Sequence, residues 1–69
     1  MLKLINKELA KHSVRMLKYK GMYYFQLFRE NGDLLAMRCT YRQTLDEGSK
    51  EMWIADGIAY ANEIKKGAA

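Results

Sequence analysis

The spacing of apolar residues changes along this chain. In the first twenty positions Leu2, Ile5, Leu9, His12, Met16 and Tyr19 recur at helical intervals, with Lys3, Lys7, Lys11 and Arg15 opposite. Val14 and Leu17 interrupt that polar side, and Lys20-Gly21 suits a tight turn into Met22. A short helix from about residue 2 to 11 followed by a strand from 13 to 19 accommodates both facts. A single helix over the same residues is the alternative. From Met22 the period drops to two. Tyr23, Phe25 and Leu27 share one side, and Met22, Tyr24, Gln26 and Phe28 the other. Asn31-Gly32 then separates this run from a second one, in which Leu35, Met37, Cys39 and Tyr41 alternate with Leu34, Ala36, Arg38 and Thr40. Two apolar runs around Asn-Gly are a strong hairpin signal, because both residues tolerate a positive φ.

The last third returns to helical spacing. Trp53, Ile54, Gly57, Ile58, Tyr60, Ala61 and Ile64 fall on one side, opposite Glu51, Asp56, Asn62, Glu63 and Lys66. Thr44 and Glu47 have the spacing of a capping box, Ser49 is a second candidate cap, and Gly67 is a candidate terminator. The helix is expected from about residue 49, or from 45, to 66. Gly57 within the apolar stripe implies close approach by a neighbouring element, since an interior glycine costs about 1 kcal/mol relative to alanine.

The predicted fold is a single small α+β domain over residues 1–69. A two- or three-stranded antiparallel sheet packs against one C-terminal amphipathic helix, with a short N-terminal helix in the α-β-β-β-α reading and αββα as the alternative. Its expected core is Phe25, Leu27, Leu35, Met37, Trp53, Ile54, Ile58, Ala61 and Ile64. One helix covers only one side of a small sheet. The other side, with Tyr23 or Tyr24, Gln26 and Arg38, is expected to carry function.

Composition adds limits. A chain of 69 residues with one cysteine has no internal disulfide, and one cysteine with one histidine cannot complete a four-ligand zinc site, so neither metal nor cofactor is expected. Hydrophobic residues make up 49% of the sequence, ample for a small core, which makes a homodimer a natural expectation. Cysteine usage, and an N-terminus without a long apolar centre, point to the cytoplasm. No apolar run approaches the ~18 residues of a membrane span, so no membrane partner is expected.

Charge is unevenly distributed. The formal total is +4, with +5 in residues 1–20, +1 in residues 21–44 and −2 in residues 45–69. The basic end would attract polyanions. His12 and Cys39 could in principle make a base–nucleophile pair, but no local signature supports one, and ordinary helix-end and strand roles account for both. Asp46, Glu47 and Glu51 sit where helix capping explains them better than cation binding does. No enzymatic constellation is legible.

What remains is rings beside cations. Aromatic faces stack on bases and lysine or arginine meets phosphate, so a sheet carrying both can bind nucleic acid. The candidate nucleic-acid-binding residues are Lys18, Lys20, Tyr24, Arg29, Arg38, Tyr41 and Arg42. The expected function is a non-enzymatic binding module contacting DNA or RNA, of the small accessory kind found in bacteria, phage and other mobile elements. The alternative is a protein–protein interaction or inhibitor-like adaptor acting as a homodimer.

A small sheet followed by one helix, over about residues 14–64, resembles the arm-binding domains of tyrosine recombinases and the AP2-type DNA-binding domains. That resemblance implies a three-stranded sheet that enters a groove. The glycine and tryptophan positions characteristic of those families are not matched, so no functional residue is carried over. The run from Tyr24 to Leu27 with Asn31-Gly32-Asp33-Leu34-Leu35 is also similar to a short bacterial family of unknown function with an aromatic-x-Leu, Asn-Gly, apolar hairpin.

Overall fold

Two turns set the register of the sheet. Lys20 and Gly21 both adopt positive φ, 50° and 82°, the signature of a two-residue turn whose twist matches the strands it joins. Strand β1 (Val14–Tyr19) therefore folds directly back on β2 (Met22–Phe28), with Tyr19 opposite Met22 and Val14 opposite Leu27. The second connection is looser. It spans residues 29–33, and only Gly32 takes a positive φ, 92°. Asn31 instead uses its side chain, accepting from the Asp33 amide at 3.0 Å and donating to the Asp33 carboxylate at 3.1 Å. Strand β3 (Leu34–Cys39) follows, and the sheet order is β1-β2-β3, antiparallel throughout.

The computed structural model describes residues 1–68; Ala69, part of the expected domain, lies outside the described residues. Helix α1 (Leu2–Leu9) leads into a 3₁₀ turn (Ala10–His12), and Ser13 at φ 62° redirects the chain into β1. After β3 a second 3₁₀ turn (Leu45–Glu47) precedes helix α2 (Lys50–Ala68). Both anticipated caps form. The Glu47 carboxylate accepts from the amides of Gln43 at 2.6 Å and Thr44 at 2.9 Å, and the Ser49 hydroxyl accepts from the Met52 amide at 3.1 Å. Helix α2 continues past Gly67, which therefore does not act as its terminator.

The architecture is the expected α+β one, in its α-β-β-β-α form. Both helices lie on the same side of the sheet, so α1 shares the work expected of the C-terminal helix alone. Val14, Met16, Tyr23, Phe25 and Leu27 meet Ile5 and Leu9 of α1 and Trp53, Tyr60 and Ala61 of α2 in one buried cluster. Gly57 marks the closest approach. A β-carbon there would lie 2.5 Å from Leu9 and 3.2 Å from Phe25, so the glycine admits side chains from both the other helix and the sheet.

One core expectation needs correction. Met37 is 50% exposed on the uncovered side, whereas Leu35, like Ile54, Ile58 and Ile64, is partly buried and packs against the core. The cause is a bulge. Leu27 pairs with Ala36 but Phe28 with Leu34, so Leu35 has no partner on β2. Ala36 and Arg38 consequently occupy the helix side of β3. Arg38, expected on the uncovered side, reaches α2 instead.

Candidate functional site

Register fixes which residues share the uncovered side. Reading across the strands, its rows are Tyr19–Met22, Leu17–Tyr24–Cys39, Arg15–Gln26–Met37 and Phe28–Leu34. Among ten positions only Arg15 and Gln26 carry strongly polar groups. The Gln26 amide is directed at the Met37 sulfur, 3.7 Å away.

The rings concentrate at the end nearest the Lys20-Gly21 turn. Tyr19 and Tyr24 meet edge to face with centroids 6.1 Å apart. Tyr41 follows Cys39, the partner of Tyr24, by two residues. Its φ of 60° turns the chain off the strand and leaves the side chain 80% exposed. The Tyr24 hydroxyl is held protonated above its ordinary range, chiefly by the Cys39 sulfur beside it, with burial and the fields of Tyr19 and Tyr41 adding to the effect. Lys20 lies 5.4 Å from the Tyr19 ring centroid. Tyr19, Tyr24, Tyr41 and Lys20 thus form one neighbourhood drawing on β1, β2, the turn between them and the segment that follows β3.

The other predicted cations are spread over the sheet. Lys18, on β1, faces the helix side and sits 5.6 Å from the Tyr23 ring centroid, near the same turn as Lys20. Arg29 lies at the opposite end, where its backbone closes the β2–β3 loop by donating to Asp33 at 2.8 Å. Arg38 and Arg42 line a cleft of about 280 Å³ between β3 and α2. Arg38 forms a two-pronged pair with Glu63, both contacts 3.1 Å, and stacks over Tyr60 at 4.6 Å. This contact raises the Arg38 guanidinium's affinity for its proton and lowers that of the Glu63 carboxylate. Arg42 pairs with Asp56 at 2.8 Å and lies 4.9 Å from the Trp53 ring centroid. Both arginines therefore already face a carboxylate and an aromatic ring of α2.

Of the seven predicted residues, Lys20, Tyr24 and Tyr41 share one neighbourhood, and Lys18 borders it. Arg29, Arg38 and Arg42 lie elsewhere. Tyr19 belongs to the aromatic set legible in the sequence but is not among the seven, and Arg15 was missed, yet the sequence held the signal for the side on which both lie. Counting back from a two-residue turn at Lys20-Gly21 pairs Tyr19 with Met22 and Arg15 with Gln26, which sets both on the side of Tyr24. Cys39 lies near the Tyr24 end of the sheet, while His12 precedes Val14 at the other end, so the register separates these two reactive side chains.

No family model, curated protein or solved structure matches the chain. Among the described residues no helix is long and apolar enough to cross a membrane.

Proposed function

We propose that this chain is a non-enzymatic binding module that takes nucleic acid on the tyrosine end of its uncovered sheet face. One observation carries the reading: the exposed Tyr19 and Tyr41 and the half-buried Tyr24 gather beside Lys20, with Lys18 at the same end of the sheet on the other side of β1, and neither lysine has a carboxylate partner among the described residues. Rings supply stacking surface and unpaired ammonium groups supply phosphate contacts. The adjoining α1 and β1 hold most of the chain's basic excess, which extends the favourable field for a polyanion. Arg38 and Arg42 are assigned to holding α2 against β3.

The test is anisotropy of labelled DNA and RNA titrated with protein at several salt concentrations. Binding should weaken steeply with salt through counterion release. Lys18→Gln with Lys20→Gln should weaken it further. Arg29→Gln, at the far end, should change it least. Undetectable affinity for any nucleic acid at 50 mM salt rejects the reading.

A second reading rests on the other end of the same face. Leu34 and Met37 are each about half exposed there, with Phe28 opposite Leu34, and such an apolar area suits a protein contact, including a second copy of this chain. Sedimentation equilibrium checks it. A dimer that Met37→Lys converts to monomer favours this reading, and a wild-type monomer at millimolar concentration removes self-association.

A further inference from the structure

Resting on the nucleic-acid reading, we infer that the ligand presents unpaired bases, as a single strand of DNA or RNA, rather than the groove of a duplex. Groove recognition requires hydrogen-bonding side chains directed at base edges. The uncovered face offers Arg15 and Gln26 for that purpose, and the Gln26 amide already faces Met37. Its remaining positions are aliphatic chains, thioethers, a weakly donating thiol and rings, among which only the tyrosine hydroxyls donate strongly, and each is a single donor without the paired donor and acceptor that read a base edge in a groove. Rings of this kind engage bases already out of a duplex stack, because every base has a face but only an unpaired one exposes it.

The geometry sets the number of contacts. Tyr19 ends β1 and Tyr41 lies two residues past the end of β3, and these outer strands are about 10 Å apart across two inter-strand spacings. They are 53% and 80% exposed, and the half-buried Tyr24 lies between their strands. Two separate ring platforms therefore flank a third ring, enough for two bases to seat at once. Charge complementarity points the same way. Lys20 lies beside Tyr19 at the β1–β2 turn, and Lys18 stands at the same end of the sheet on the other side of β1, so a strand crossing from Tyr41 to Tyr19 would bring its phosphates to a turn whose ammonium groups have no carboxylate partner among the described residues. The carboxylates of α2 that meet Arg38 and Arg42 lie on the helix side of β3.

The experiment compares fluorescein-labelled dT12, rU12 and a mixed-sequence duplex of equal length, by anisotropy at 50 and 200 mM salt. Either single strand should bind at least tenfold more tightly than the duplex, and the two single-stranded arms tell DNA from RNA. Tyr41→Ala should weaken single-strand binding by about 5- to 150-fold, the effect of losing one stacked base. Tyr41→Phe should restore it, because the ring face is kept. Lys20→Gln should lower the magnitude of the logarithmic salt slope by about 0.7, as for one phosphate contact on a single strand. Duplex binding equal to or tighter than both single strands overturns the inference while leaving the broader reading intact. So does unchanged affinity in Tyr41→Ala. Absence of binding to all three probes at 50 mM salt overturns the broader reading itself. Tyr41 projects into solvent, and circular dichroism checks that each variant is folded.

Discussion

The two edges of the sheet are built by different chemistry. At β1 the neighbouring helix is held by burial and by one amide. Ile5 and Leu9 of α1 are fully buried. The Asn6 side chain meets the outward backbone of Met16, donating to its carbonyl at 2.9 Å and accepting from its amide at 2.6 Å. Asn6 thus occupies part of an edge that would otherwise be open to another strand. At β3 the neighbouring helix is joined by two arginine–carboxylate pairs laid over aromatic rings. The basic side chains of β1 are left without acidic partners among the described residues, and those of β3 are not. Sequence charge and available charge are therefore different quantities: Arg38 and Arg42, nearest the acidic third of the chain, fold onto it, whereas Lys18 and Lys20 have no acidic partner among the described residues.

If burial rather than charge holds the β1 edge, truncating Leu9 should give the largest effect. Leu9→Ala removes a fully buried side chain between α1, Phe25 and Gly57, and should lower stability by about 2–5 kcal/mol. Trp53 is the single tryptophan and is buried, so its fluorescence follows urea unfolding directly. The loss should be nearly the same at 50 and 500 mM salt, because no ion pair is involved. A loss that collapses at high salt would contradict this account of the β1 edge.

Asn6→Ala should come next, at about 1–3 kcal/mol, because two backbone groups of Met16 lose their partner in a half-buried setting. Water can reach part of this edge, which favours the lower end of the range. Hydrogen exchange gives the sharper measurement. Protection of the Met16 amide should fall selectively, and a loss spread evenly over β1, β2 and β3 would mean that Asn6 acts on the whole fold rather than on this edge.

Arg42→Ala tests the β3 edge. Its pair with Asp56 is partly exposed, so the ion pair contributes at most about 1 kcal/mol, and contact with the Trp53 face adds about 0.5–1 kcal/mol. The total loss should be about 1–2 kcal/mol and should shrink as salt rises. Arg42→Lys should recover only part of it, because a compact ammonium stacks less well than a planar guanidinium. Full recovery by lysine would reduce the contact to simple charge.

The fold was legible where pattern and turn chemistry agreed. Alternation through Tyr23, Phe25 and Leu27, the Lys20-Gly21 turn, the Thr44–Glu47 and Ser49 caps and the stripe through Trp53 and Ala61 each specified an element without tertiary information. β3 was harder to read because both of its sides are apolar enough to be core. The bulge at Leu35 and the carboxylate of Glu63 decided its orientation, and a bulge leaves no mark on hydrophobic spacing. Asn6 was equally hidden, since a polar residue beside Ile5 reads as helix surface until β1 arrives against it. The candidate site suffered for the same reason. Its rings were identified as a group, but which cations accompany them depends on which carboxylates fold back, a long-range property that composition does not contain.

Acid titration, with the smallest expected effects, separates the ion pair of the β3 edge from the capping contacts that precede α2. Glu63 and Glu47 both titrate below the ordinary carboxylate range in the folded chain. Glu63 does so because Arg38 donates to it, and Glu47 because the amides of Thr44 and Gln43 do. A carboxylate with a depressed folded value binds its proton more weakly in the native state than in the unfolded one. Its stabilising contribution is therefore fully present above the unfolded value and is lost as pH falls through the folded value. Stability should decline on acidification below the ordinary glutamate range near pH 4.3. Glu63→Gln and Glu47→Gln should each flatten that decline, and each variant should converge on the parent once both carboxylates are protonated. Salt then distinguishes them. The Arg38–Glu63 pair is exposed, so raising ionic strength should diminish the difference between Glu63→Gln and the parent. The Glu47 contacts are short hydrogen bonds to backbone amides that start the 3₁₀ turn before α2, and their effect should persist in the same salt. Equal salt sensitivity in the two variants would mean that the capping contacts are no more than diffuse charge, and that the β3 edge is not distinguished by its ion pairs.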